Sequence, residues 1–257
     1  MRLDRALLND ARTVFRSRPL LFFFALELLA GGVFVMRRGE QTATTVLLIW
    51  LGMLILAFFA WWAGRHRLAH PQPDPVPGAT ARAVFALIGV AGMMLFGLSM
   101  AVGFVLITSG IGGWLWAAWR GGGLAGLRER LLRDPRPFVP LFLLIGLPRL
   151  LIGGPAYLVG AAVALPSGIG QQVLFLLGLF VPLEALRQRS DVAAVLAALL
   201  FALLHVPFVI EANDGDLLAS LANVVLFQAS VGLIACLAFV RHRAAAPIGV
   251  AHALAIG

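Results

Sequence analysis

The chain has 257 residues, 61% of them hydrophobic and 12% charged, with 20 basic residues against 12 acidic ones. Water-soluble domains carry about 25% charged and about 45–50% apolar residues, so the composition excludes an ordinary soluble domain and predicts a polytopic membrane protein. Every basic residue is arginine, and the arginines gather at segment ends as topology signals do, without an aromatic-interleaved stripe, which argues against a nucleic-acid surface. The single cysteine, Cys236, lies in an apolar run and excludes both a disulfide framework and a cysteine-based metal site.

In chain order, Met1–Arg18 carries arginines at 2, 5, 12, 16 and 18, with apolar residues at helical spacing, and predicts an interfacial amphipathic helix on the cytoplasmic face. It lacks a small-residue cleavage site, so the first span is expected to stay as an anchor. That span is Pro19–Met36, closed by Arg37-Arg38, and the second is Thr42–Gly64, closed by Arg65-His66-Arg67. The proline-rich stretch from Pro71 to Gly78 is a loop. Ala83–Trp119 runs without a charge, too long for one upright helix and barely enough for two. One span here would set the following basic loop opposite the basic N-terminus, whereas a hairpin would set it on the same side. Trp114, Trp116 and Trp119 are expected at the interface, and Gly121–Arg136 predicts a short amphipathic surface helix.

Beyond it lie Phe138–Leu165, interrupted by Pro148, Arg149, Gly153, Gly154 and Pro155, then Gly168–Leu186, Val192–Ile210, Leu217–Val240 and Ala244–Gly257. Counted by the ~20 residues needed to cross the hydrocarbon, the chain predicts an all-α polytopic helix bundle of about eight transmembrane helices. The proline-rich loop is its best boundary by composition, and the family resemblance that the polar motifs below carry sets a C-terminal core, 137–257, apart from an N-terminal part, 1–136.

Within that core, polar side chains interrupt apolar helices at Gln171-Gln172, at His205 within Phe201-Ala202-Leu203-Leu204-His205, and at His252. Intramembrane polar residues are expensive and mark candidate sites. The plainer readings are a core histidine bonded to a carbonyl for His205, interhelical hydrogen bonding for the glutamines, and interfacial placement for His252. Glu184 with Arg187 reads as an i,i+3 pair at a solvated helix end. Glu27 must be paired or protonated within its apolar run, and Arg149 is its candidate partner. His66, His70 and His242, among arginines, read as loop residues.

The segments Gly168–Gly178, Leu199–His205 and Ala246–Ile256 resemble the CPBP (Abi) intramembrane proteases, which include the type II CAAX prenyl endopeptidases. The family's signatures are Glu-Glu-x-x-x-Arg, Phe-x-x-x-His and His-x-x-x-Asn, each on a membrane helix. Phe201 and His205 fit the second fully and His252 opens the third. Gln171 and Gln172 stand at the glutamate positions, Leu176 at the arginine and Ile256 at the asparagine, so the chain resembles a degenerate member. The resemblance implies a site formed by Gln171, Gln172, His205 and His252. In it the first glutamate and the second-signature histidine would activate water, with or without a divalent metal such as zinc at His205 and His252.

A glutamine amide cannot act as a base near neutral pH and is a poor metal ligand, and losing a general base costs about 10²–10⁴-fold in rate. No other carboxylate substitutes: Glu184 lies about 18 Å along the helix from Gln172, and Glu211 falls beyond Pro207 at the membrane edge. Two functional readings follow from the resemblance. One is an intramembrane endopeptidase fold acting on or binding a membrane-proximal or prenylated peptide. The other is a non-catalytic pseudoprotease serving as a membrane adaptor or immunity-type protein. A small transporter, motivated by the broken helices and by Glu27 and Arg149, is a third. The expected surroundings are the lipid bilayer, as an integral multi-pass protein of a bacterial cytoplasmic membrane, with no nucleic acid.

Overall fold

The structure is a computed structural model that describes residues 12, 14–64, 76–95, 99–121 and 134–256. Most of the expected amphipathic helices over Met1–Arg18 and Gly121–Arg136, His66, His70 and most of the proline-rich loop lie outside the described residues. Among those described, every regular element is helical. Five helices are long and apolar enough to cross a membrane, a bent pair makes a sixth, and two shorter apolar helices complete the bundle.

Helix α1 (Arg18–Arg38) starts where Ser17 caps the Leu20 N–H and Pro19 sits in the first turn, a position that needs no donor. It ends at Gly39, whose positive φ of 87° lets its N–H close back on Val35. Its buried stripe, Leu20, Phe23, Glu27, Ala30 and Gly31, recurs at helical spacing while Phe22, Phe24, Leu28 and Leu29 face outward. Helix α2 (Gln41–Gly64) likewise turns Leu47, Leu48, Leu51 and Leu54 out and packs against α1.

The charge-free run resolves into two helices, α3 (Ala79–Leu95) and α4 (Met100–Arg120). Gly89 meets Gly110, Gly92 meets Ile107 and Gly103, and Gly113 meets Phe85, an antiparallel register in which the backbones nearly touch. Small residues permit such approach where lipid supplies no hydrophobic drive between helices. The hairpin, and not a single span, is therefore the arrangement present. Trp116 and Trp119 are exposed, as an interfacial belt requires, but Trp114 is only 5% exposed and lies under the Arg82 guanidinium, 5.3 Å from its ring centroid. Its ring fills space left by Gly178, which corrects its expected interfacial placement.

Helix α5 (Val139–Gln172) is interrupted only at Gly154, whose φ of 58° and ψ of −152° are open to glycine alone. The helical path then runs without a break through Leu165–Gly168, where two separate spans were expected, into a π-helical segment, Val173–Phe180, and α6 (Val181–Arg187). Phe175, Leu176 and Phe180 in the π segment are fully buried. An apolar stretch buried on all sides marks the centre of the bundle.

Helix α7 (Ser190–Leu203) presents Ala193, Ala194, Ala197 and Ala198 at 0% exposure, which lets α10 (Ser230–His242) approach it closely at Gly232. After α7 come α8 (Val206–Ala212), bent 50° from it, then α9 (Leu217–Val224), a π-helical turn at Val225–Ala229, α10, and α11 (Ala245–Ile256). Asp216 caps α9; the N–H of Ala219, helped by Arg37, holds its carboxyl below the ordinary carboxylate range.

Three charged residues depart from their sequence readings. Glu184 does not pair with the exposed Arg187: it is 1% exposed and gripped by Arg243 in a two-pronged contact of 2.6 and 3.0 Å. Arg243 bends back from the end of α10 at φ 53° to make it. Glu27 is bonded to Ser230 at 2.7 Å, and Arg149 is exposed on α5, so that pairing does not form. His242 is no loop residue: it is buried, its Nε2 lies 3.1 Å from the Asp134 carbonyl, and its ring meets Phe138 edge-on.

These bonds also define the ends of the bundle. Ser17 bonds Asp191, Glu184 grips Arg243 and His242 meets Asp134, which gathers Arg16, Arg18, Arg187, Arg189, Arg241 and Arg243 at one end. At the other end Arg37 and Arg38 hold the acidic loop through Asp216 and Asp214.

Two stability outcomes are expected. A Cβ at Gly110 would strike the backbone of Gly89, whereas Gly112 has open space, so Gly110→Ala should cost about 1–3 kcal/mol or more and Gly112→Ala almost nothing. Equal thermal midpoints of the two variants in detergent would sink the close-contact reading. Arg243→Ala should cost about 3–5 kcal/mol by stranding a buried carboxylate. By contrast, Arg189→Ala, in an exposed pair with Asp191, should leave the thermal midpoint almost unchanged.

Candidate functional site

The site begins with a break in a helix. The α7 ladder stops at Leu203, and the His205 N–H turns to the Ala202 carbonyl at 2.9 Å instead of reaching Phe201. Pro207, in the first turn of α8, is placed where its missing donor costs nothing. The Phe201 carbonyl is left without its helical donor, and inside a membrane such a group must be satisfied by protein. His205 Nδ1 lies 2.8 Å from it. A carbonyl can only accept, so Nδ1 carries the proton and Nε2 keeps the lone pair. The Phe201 ring packs edge-on to the imidazole at 4.6 Å and is backed by Phe175 at 4.7 Å.

The second imidazole is oriented from the opposite side of the bundle. Helix α11 lies against α5, with Gly249 on Ile169 and Gly168 on Ala253, and Tyr157 donates to the Leu254 carbonyl at 2.8 Å. This packing sets His252 beside Gln172, whose Nε2 is 3.3 Å from His252 Nδ1. An amide nitrogen can only donate, so Nδ1 accepts and the His252 proton sits on Nε2. Gln172 is 1% exposed, and its Oε1 has no hydrogen-bond partner.

Gln172 of α5 and His252 of α11 are thus joined, and His205 stands at the α7–α8 break. Gln171 is not joined to them by a hydrogen bond: it is half-buried and donates to Ser167, one turn back, at 3.1 Å. Leu176 is fully buried in the core, and Ile256, the last residue of α11, is 51% exposed. Sequence reasoning missed Phe175 and Ser167. Ser167 was legible as the i−4 neighbour of Gln171, whereas Phe175 was one apolar residue among many.

The donor set does not suit a metal. Among the described residues no group of three histidine, cysteine or carboxylate side chains converges. His252 Nδ1 is occupied by the Gln172 amide, and two imidazoles fall short of the three protein ligands of a catalytic zinc site. What remains is an acceptor at His205 Nε2 and a donor at His252 Nε2, with an amide fixing the second. Incubation with a strong chelator should therefore leave the thermal midpoint of the purified chain unchanged; a fall of several degrees, reversed by zinc, would overturn this reading.

Residues 153–255 match the family model described as Rce1-like, type II CAAX prenyl endopeptidase Rce1-like. No curated protein and no solved structure matches the chain. The match begins beside the Gly154 break and contains all four site candidates.

Proposed function

We propose, for a chain whose residues 153–255 form a domain of the Rce1-like family of type II CAAX prenyl endopeptidases, that it binds a membrane-proximal peptide without cutting it. The observation that carries this reading is the hydrogen bond from Gln172 to His252. A carboxylate at that position would take a proton from water or hold a metal; the amide does neither. It locks His252 as a donor instead. The peptide carbonyl accepts from His252 Nε2–H and its N–H donates to His205 Nε2. The aromatic pair Phe201 and Phe175 supports the His205 imidazole.

The other substitutions agree. Leu176, fully buried, supplies packing where the family's arginine supplies charge, and Ile256 supplies no amide to an oxyanion. A prenyl chain on the peptide would stay in lipid while the backbone engages the imidazoles. The arginine-rich end of the bundle is the cytoplasmic one by the positive-inside tendency, which puts the N-terminus of α1 there. The transporter reading keeps the helix break at Gly154 but loses the Glu27–Arg149 pair, because Glu27 is tied to Ser230 and Arg149 is exposed.

A hydrolytic reading retains one supporting observation: the His205 Nε2 lone pair could serve as a base toward water. A single assay separates the two. The reconstituted chain is incubated with a fluorescent farnesylated peptide, and binding and chain length are followed together. Binding with the peptide intact is expected, weakened about threefold to tenfold by His205→Ala or His252→Ala, as for loss of one hydrogen bond. Cleavage by the unaltered chain, abolished by His205→Ala, would refute the non-catalytic reading.

A further inference from the structure

Helix α8 has His205 at its N-terminal end, and its packing alone gives it little purchase. None of its 7 residues is buried, and it rests chiefly against α9, the next helix in the chain. Its far end is tied to α1. Arg38, the last residue of α1, donates from Nη2 to Asn213 Oδ1 at 2.7 Å and to the Ala212 carbonyl at 3.4 Å. Its Nη1 donates to Asp214 at 2.8 Å, and Arg37 pairs with Asp216 at 3.3 Å.

These contacts differ in weight. The Asp214 side chain is 85% exposed, so its ion pair is screened and contributes little. Asn213 is 3% exposed, and a buried amide oxygen deprived of its donor is costly. The same amide donates from Nδ2 to the Val209 carbonyl at 2.8 Å, and the Val209 N–H donates to the His205 carbonyl at 3.2 Å. His205, Val209 and Asn213 therefore form one line of hydrogen bonds down α8, ending on a side chain of α1. Helix α1 lies outside residues 153–255, so the line joins the N-terminal part to the matched domain.

Pro207 stops the α7 ladder from continuing, but it does not fix the direction α8 takes afterwards. We propose that Arg38 is a positioning residue for His205: through Asn213 it holds α8 at its 50° bend, which keeps His205 Nδ1 on the Phe201 carbonyl and leaves Nε2 as the acceptor. Without the clasp, α8 swings, the ring loses its fixed partner and the tautomer is no longer set. The proposal deepens the peptide reading and rests on it for its purpose, but the clasp itself is testable with no peptide present.

The test is ring-nitrogen NMR of the full chain labelled with ¹⁵N-histidine in lipid nanodiscs, at a pH where imidazole is neutral. His205→Gln assigns the His205 signals. The unaltered chain should show one His205 tautomer, protonated on Nδ1, and Arg38→Ala should give a mixture while His252 stays unchanged. Amide exchange over residues 206–215 should rise at least about tenfold in Arg38→Ala and less than about twofold in Arg37→Ala, whose pair is exposed. Arg38→Lys, which keeps the charge without the planar fork, should fall between the two and separates the clasp from misfolding. A farnesylated peptide should bind about threefold to tenfold more weakly to Arg38→Ala, with no further loss when Arg38→Ala is added to His205→Ala. If the unaltered chain binds no peptide, the peptide reading fails and the ring signals still decide the clasp. Unchanged His205 signals and exchange in Arg38→Ala, or equal changes at His252 and in the α3–α4 hairpin, would overturn it.

Discussion

The structure turns on one rule: in hydrocarbon, a backbone carbonyl that loses its helical donor must find another within the protein. The bend between α7 and α8 strips the Phe201 carbonyl of its donor, and the His205 ring takes it up. The repair fixes the imidazole in place and decides which of its nitrogens faces the site. A straight helix through residue 205 would leave the side chain free to turn toward lipid or a neighbouring helix. The break and the candidate site are therefore one feature.

A second economy lies in how the helices approach one another. Lipid is as apolar as leucine, so burial of methyl groups gives little drive for association, and close contact between small residues takes its place. The α3–α4 hairpin does this through Gly89, Gly92 and Gly110, α11 through Gly249 on Ile169, and the α7–α10 pair through a run of alanines. The π-helical segment Val173–Phe180 passes between these contacts with its aromatic side chains wholly enclosed. π-Helical insertions are frequent beside functional sites, and this one starts at the residue after Gln172.

Polar and charged groups inside the bundle are few and partnered over long sequence distances. Glu184 with Arg243 joins α6 to the end of α10, Glu27 with Ser230 joins α1 to α10, and Gln172 with His252 joins α5 to α11. Each fixes the register of two helices that apolar packing alone would allow to slide. The Gln172 bond differs from the others in engaging an imidazole, whose tautomer it fixes. At that residue the amide donates a hydrogen bond that fixes the His252 tautomer, and it carries no basic lone pair near neutral pH.

Composition and periodicity alone determined that the chain is a helical membrane bundle, where its apolar segments lie, and that Gln171, Gln172, His205 and His252 are polar residues inside apolar helices. Those properties depend on local hydropathy and on spacing, which one sequence carries in full. The partner of a buried charge does not. Glu184 was assigned to Arg187, three residues on, because helix neighbours are all a sequence displays, whereas the real partner arrives from another helix. Trp114 was placed at the interface for the same reason: its type favours that location, and only the packing of Gly178 opposite it makes an interior space. The choice between one span and a hairpin over 83–119 rested on whether glycines on two segments face each other, a property of register. Gln171 and Gln172 look equivalent as letters. Only the lie of α11 against α5 sends one amide to an imidazole and the other back to its own helix.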